Sequence, residues 1–122
     1  MTDTNQPEKL THFRKLFNPL YLGAHDLEFG KEYKVTIEKI ERDIEVVGEG
    51  GKKQKKPIIY FKGAAKPMIL NSVNSKMISK VLSEKMIERW IGQSVIIKVI
   101  NEKNFGEEID VIRVMNKKAW AN

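Results

Sequence analysis

The sequence predicts a mainly β fold, a five-stranded barrel with one helix between the third and fourth strands. Several short stretches alternate apolar and polar residues, which is the period of half-buried strands. One longer stretch repeats its apolar residues at helical spacing instead. The 122 residues contain no cysteine, and this length is enough for one domain to bury a core without disulfides.

Each predicted strand is bounded by glycine, proline or polar residues, which favour turns. Tyr33, Val35 and Ile37 alternate with polar residues and open the first strand. Gly63 to Ala65 form a turn between the second and third strands, and Gly106 lies between the fourth and fifth. The strands are predicted at 33–47, 57–62, 66–70, 94–101 and 108–115.

The helix is predicted over residues 74–91. Its apolar residues recur three and four positions apart, and they are Met77, Ile78, Val81, Leu82, Met86, Ile87, Trp90 and Ile91. Asn71, Ser72 or Asn74 can cap its start, and Gly92 is a typical stop. Within this apolar set, Trp90 is predicted to lie in the core.

Three strands, a helix and two strands is the element order of an OB-fold, in which the helix plugs one end of the barrel. Ubiquitin-like and small sandwich folds also fit short strands of this kind. We expect residues 1–29 to form an N-terminal arm with a disordered polar start and an apolar part that packs on the barrel. Residues 30–116 would form the OB-like barrel, and residues 117–122 a basic C-terminal tail.

The net charge of +6 favours a polyanionic partner, and its distribution is uneven. From residue 50 to residue 67 there is no acidic residue, and the lysines are Lys52, Lys53, Lys55, Lys56, Lys62 and Lys66. Residues 48–57 are predicted to be a flexible loop between the first two strands, where glycines let the backbone approach phosphate and lysines supply charge. The alternative is a solvated loop that only keeps the hairpin soluble.

Two aromatic residues are candidates for stacking on bases. Phe105 lies beside Lys103 in the turn before the fifth strand, where it either stacks on a base or folds back onto the barrel. Tyr60 alternates with the predicted core residues of its strand. It is therefore expected on the outer face with Lys62, Lys98 and Arg113, unless the N-terminal arm covers that face.

Catalytic and metal sites have no support in the sequence. His12 and His25 have no further ligands grouped nearby, and no carboxylate pair, nucleophile elbow or phosphate loop is present. We therefore expect no enzyme activity, no metal and no cofactor. The polar first residues and the lack of a long apolar run predict a cytoplasmic protein.

Four stretches resemble a family of small phage and prophage proteins, most of which have no assigned role. They are LFNPLYLGAHDL (16–27), KPMILNSVNSKMISKVL (66–82), RWIGQSVIIKV (89–99) and IDVIRV (109–114). The asparagine-rich turn before the helix and the Trp90-Ile91-Gly92 step carry the resemblance. It implies early phage DNA metabolism in the cytoplasm of the host cell and, by analogy with other OB barrels, binding of single-stranded DNA.

We therefore predict a non-catalytic, sequence-independent single-stranded DNA-binding protein, with RNA left open. The predicted nucleic-acid-binding residues are Lys52, Lys53, Lys55, Lys56, Tyr60, Lys62, Lys98, Lys103, Phe105 and Arg113. A membrane partner is not expected, and homo-oligomer formation is left open. The main alternative is a phage structural or protein-interaction adaptor, and an enzyme ranks third.

Overall fold

The protein is described by a computed structural model that covers residues 20–47 and 49–119. It is mainly β, as predicted, with one five-stranded antiparallel sheet and one α-helix in this part of the chain. The strands are β1 (Glu32–Val47), β2 (Lys53–Phe61), β3 (Met68–Ile69), β4 (Ser94–Asn104) and β5 (Glu107–Val114), and the helix is α1 (Ser72–Leu82). Short 3-10 turns lie at Ala24–Asp26, Glu49–Gly51 and Ile87–Trp90.

The long strand β1 organises the sheet, whose order is β3-β2-β1-β4-β5. Its first residues, 32–36, pair with β4, and the residues from Ile37 onward pair with β2. Two register shifts interrupt the β2 ladder, and Asp43 in the second has a φ of 59°. Because such bulges bend a strand, β1 can pair with β4 along its first part and with β2 along the rest.

The predicted barrel is not confirmed, because the sheet does not close. Within the described residues, β3 pairs only with β2 and β5 pairs only with β4. A shallow pocket between these two edges is lined on one side by Leu22 and Met68 and on the other by Asn74 and Ile112. The residues of the arm that the structure describes reach this place, where the Leu22 N–H donates to the Pro67 carbonyl at 2.8 Å.

The core lies between the sheet and α1. Its members are Ile37, Ile59, Phe61, Met68, Leu70, Ile78, Trp90, Val95, Ile97, Val99, Ile112 and Val114. The alternation in β2 therefore places Ile59 and Phe61 inward as predicted. Trp90 is buried, as predicted, and its indole Nε1 donates to the Glu84 carbonyl at 2.8 Å.

The predicted helix over 74–91 is too long at its C-terminal end. α1 ends at Leu82, because Ser83 adopts a left-handed conformation with a φ of 54°. The Glu84 N–H then donates back to the Ser79 carbonyl at 3.1 Å, which completes a C-terminal capping turn. The apolar residues after this point continue in the separate turn Ile87–Trp90. No helix in the described ranges has the length and apolar character needed to cross a bilayer.

Asn74 fastens α1 to the free edge of β5. Its amide nitrogen Nδ2 donates to the Ile112 carbonyl at 3.0 Å, and its Oδ1 accepts from the Val114 N–H at 3.0 Å. The side chain is almost completely buried. A single amide therefore supplies both hydrogen bonds that a neighbouring strand would otherwise make there.

We expect Asn74→Ala to destabilise the protein far more than the loss of an ordinary helix cap. The substitution leaves a buried donor and a buried acceptor of β5 unpaired, which costs about 2–4 kcal/mol of unfolding free energy. Asn71→Ala is the matched control, because it removes only the cap bond from the Asn74 N–H and costs about 1 kcal/mol. Urea unfolding of both variants measures the difference. Similar losses would show that the Asn74 bridge is not needed.

Candidate nucleic-acid interface

The lysines predicted to lie in a flexible loop lie mostly in a strand. β2 begins at Lys53, and its first four residues pair with Val47, Val46, Glu45 and Ile44 in that order. Residues 48–52, which include the turn Glu49–Gly51, separate β1 from β2. The loop prediction over 48–57 is therefore wrong beyond residue 52, because the ladder to β1 continues through the lysine run.

We call this hairpin end, with Lys52, Lys53, Lys55 and Lys56, the basic hairpin. Gly50 and Gly51 form its turn with positive φ angles of 71° and 77°, a conformation that glycine adopts without strain. The lysine backbone is thus held in the regular spacing of a strand, and the side chains point into solvent except for the half-buried Lys56.

None of the four lysines of the basic hairpin makes an ion pair with a residue whose side chain the structure describes, a set that does not include Glu49 of the turn. Glu45 lies opposite Lys55 in the ladder but does not come within ion-pair distance. Lys62, just beyond the other end of β2, is exposed and also has no ion pair in the described part. Among the side chains that the structure describes, no carboxylate therefore neutralises these β2 lysines through an ion pair.

Tyr60 lies on the side of β2 opposite Ile59 and Phe61 and is half-buried. Its hydroxyl donates to Glu41 Oε1 at 2.7 Å, and Lys39 Nζ lies 4.5 Å from its ring centroid. The bond to Glu41 is the main cause that raises the Tyr60 pKa, with burial next. Ile58 on the same side of the strand is buried, so this face is only partly open.

Arg113 and Lys98 lie side by side in the ladder between β4 and β5. The Arg113 guanidinium makes a two-point contact with Glu102, with Nε–Oε2 at 2.8 Å and Nη2–Oε1 at 2.7 Å. This hydrogen bonding lowers the Glu102 pKa. Arg113 is therefore committed to an internal carboxylate, whereas Lys98 is half-buried opposite Glu32, which Lys117 contacts at 2.8 Å.

Phe105 stands at the tip of the hairpin between β4 and β5 and is 99% exposed. It does not fold back onto the sheet. Phe105 and Gly106 have φ angles of 52° and 81°, and Asn104 pairs with Glu107 across the turn. Positive φ at both central residues is the signature of a type I′ turn.

The hairpin that carries Phe105 is acidic. Residues 101–110 contain one lysine, Lys103, and four acidic residues, Glu102, Glu107, Glu108 and Asp110, so their net charge is −3. Lys103 lies opposite Glu108 in the ladder. We call this element the acidic hairpin. The predicted site residues thus fall into three places: six lie on or next to β2, Lys103 and Phe105 lie on the acidic hairpin, and Lys98 and Arg113 lie side by side away from its tip.

Sequence reasoning missed Lys39 and Glu41, which hold Tyr60, and Lys76 on α1, which faces the basic hairpin across a cleft. Their roles depend on strand register and on the position of the helix, which no local pattern encodes.

The residues that the structure describes give no support for a metal site at His25. His25 Nε2 lies 3.6 Å from Asp26 Oδ1. In the described part of the chain, no group of three or more potential ligands could hold a metal ion. His12, Trp120 and the predicted lead-in over residues 1–9 lie outside the described residues.

No family model, curated protein or solved structure matches this chain.

Proposed function

We propose that the protein is a non-catalytic domain of OB type that binds single-stranded nucleic acid, preferentially DNA, through the basic hairpin. The sheet order β3-β2-β1-β4-β5 and the helix between β3 and β4 support the OB type. An OB barrel is often partly open, and the gap between β3 and β5 is compatible with that. In such folds the loop after β1 and the loop after β4 flank the bound strand.

The observation that carries this proposal is the set of lysines on the basic hairpin that make no ion pair with a side chain described by the structure. A lysine that makes an ion pair within the protein must break it before it can bind a phosphate. These ammonium groups have no such pair with a described side chain. Side chains alternate between the two faces of a strand, so Lys53 and Lys55 lie on one face and Lys56 on the other. A flexible polyanion such as a nucleic-acid backbone can contact several of these charges at once. Lys62 adds one further positive charge at the opposite end of β2, beyond the uncharged residues 57–61.

The other predicted residues have secondary roles in this proposal. Tyr60 offers an aromatic ring that Glu41 and Lys39 hold in place, so it can contact a base at little cost in side-chain entropy. Arg113 supports the surface through Glu102 rather than binding phosphate. Lys98 and Lys103 lie opposite Glu32 and Glu108, so they attract phosphate less than the β2 lysines do.

Phe105 supports a contact with bases rather than phosphates. A type I′ turn favours asparagine and glycine at its centre, and a non-glycine residue in the left-handed region costs about 1 kcal/mol or more. A fully exposed phenylalanine at such a position does nothing for the core. Since the acidic hairpin repels phosphates, we assign Phe105 to stacking on an unpaired base whose phosphates lie toward the lysines.

The adaptor function remains the second candidate, and the acidic hairpin is the observation that favours it. An exposed aromatic residue surrounded by carboxylates also suits a protein pocket with a basic rim. The two candidates differ in their response to nucleic acid, since an adaptor of this kind has no need of the lysines on β2.

We expect binding of an oligonucleotide of about thirty nucleotides to depend strongly on salt. Four phosphate contacts give a slope of log affinity against log salt of about −3, so a rise from ~50 to ~200 mM salt weakens binding about fifty-fold. Replacing Lys52, Lys53, Lys55 and Lys56 together by Gln should flatten the slope. Because surface substitutions each change stability by no more than about 0.5 kcal/mol, the variant should stay folded. Fluorescence anisotropy at several salt concentrations measures the slope.

The control for this variant replaces Lys80, Lys85 and Lys118 by Gln, three exposed lysines outside β2. It should retain nearly the whole slope. Flattening of both variants in proportion to the charges removed, three in the control and four in the basic hairpin, would mean that net charge alone is responsible. Affinity weaker than millimolar at ~50 mM salt in the unaltered protein would favour the adaptor function.

We expect Phe105→Asn to stabilise the protein while weakening its binding to nucleic acid. Asparagine suits the left-handed turn position, so thermal unfolding should shift upward by an amount that corresponds to about 0.5–1 kcal/mol. Loss of one stacked base costs about 1–3 kcal/mol of binding free energy. Opposite changes in melting temperature and affinity identify Phe105 as a functional residue. If the variant is stabilised and its affinity is unchanged, Phe105 does not contact the nucleic acid.

A further inference from the structure

We propose that the cleft between β2 and the first turn of α1 is a phosphate-binding subsite that extends the path of the nucleic acid, with Lys76 as a ligand of the backbone. This inference rests on the proposed function. It adds a helical wall to a site that the sequence placed on strands and loops only. We call this feature the lysine cleft and define it by Lys55, Lys56, Ser72, Ser75 and Lys76.

The lysine cleft has two walls that are fixed relative to each other. One wall is the start of β2, and the other is the beginning of α1. The Leu70 N–H donates to the Pro57 carbonyl at 2.9 Å, which holds the entrance of the helix against the strand. On the far side, Asn74 ties the same helical turn to β5. The cleft is therefore preformed, and binding an anion there requires little rearrangement.

The chemistry of the cleft suits a phosphodiester group. Three lysines line it, and no acidic residue is among the residues that do. None of these lysines makes an ion pair with a described residue. The hydroxyl groups of Ser72 and Ser75 have no hydrogen bond within the described part of the chain, so both can donate to a phosphate oxygen.

The cleft is continuous with the basic hairpin, because Lys55 and Lys56 belong to both. A strand whose phosphates follow the lysines of β2 would meet Lys76 next. The opposite direction along the sheet leads from β1 to β4 and β5, whose hairpin is acidic. Charge therefore favours passage of the backbone between β2 and α1.

Lys76→Gln tests this inference, with Lys80→Gln as the matched control. Lys80 lies on the same helix four residues later, is exposed, and does not line the cleft. Loss of one phosphate contact should reduce the salt slope by about 0.7 and weaken binding about fivefold at ~0.1 M salt. Lys80→Gln should change neither quantity. The probe is a fluorescent oligothymidylate of about thirty nucleotides.

Acetylation of lysines in the unaltered protein gives a second readout that requires no variant. Bound oligothymidylate should protect Lys55, Lys56 and Lys76 from acetylation, as followed by mass spectrometry, and should leave Lys80 reactive. If Lys76 reacts like Lys80 and its substitution has no effect, while the four-Gln variant of the basic hairpin still loses its slope, the cleft inference is wrong and the proposed function stands. If the unaltered protein shows no salt-dependent binding at all, both are wrong.

Discussion

The side chain of Asn74 makes the contact on which the rest of this structure depends. A five-stranded sheet that does not close leaves one edge of β5 without a partner strand, and buried backbone groups there must find hydrogen bonds elsewhere. The Asn74 amide provides one donor and one acceptor to that edge, to the Ile112 carbonyl and the Val114 N–H. Since Asn74 belongs to the first turn of α1, the same two bonds fix where the helix begins.

The position of the helix in turn determines the shape of the candidate site. α1 starts between the edge of β5 and β2. Just before the helix, the Leu70 N–H donates a hydrogen bond to the Pro57 carbonyl of β2. This places Lys76 across a cleft from Lys55 and Lys56. Loss of the hydrogen bonds between Asn74 and β5 would therefore move one wall of the cleft, even though Asn74 itself is not one of the lysines that line it.

The charge of the molecule is unevenly distributed: the acidic hairpin carries a net negative charge, although the chain as a whole carries +6. The basic hairpin and β2 attract a polyanion, whereas the acidic hairpin around Phe105 repels one. A bound single strand would then lie with its phosphates toward β2 and its bases toward the aromatic residues. In the proposed complex, this arrangement would distinguish single strands from duplexes, because only an unpaired base can stack on a side chain.

Much of the fold could be predicted from local patterns. The alternation of apolar residues identified all five strands, and helical spacing identified α1 and the buried Trp90. Sequence reasoning failed where a distant partner or a single backbone angle decides the outcome. The left-handed Ser83 ended the helix early, and pairing with the end of β1 turned Lys53 and its neighbours into a strand.

The candidate site could be predicted only in part, for a related physical reason. The excess of lysines between residues 50 and 67 is visible in the sequence, as is an aromatic residue at a turn. The engagement of Arg113 by Glu102 is not visible, because it depends on a contact between different strands. The position of Lys76 beside β2 is likewise not visible, because the local sequence predicts only a helix and the packing of α1 decides what the helix faces.

The central claim is that nucleic acid binds along β2 and the first turn of α1. Amide chemical-shift changes on titration with oligothymidylate test it most directly, since they locate the contact without altering any residue. The account predicts that the largest changes cluster at residues 52–56 and 71–76, with smaller changes near Tyr60 and Phe105, and none at residues 84–89. Changes confined to residues 84–89, or changes spread evenly over the surface, would contradict it.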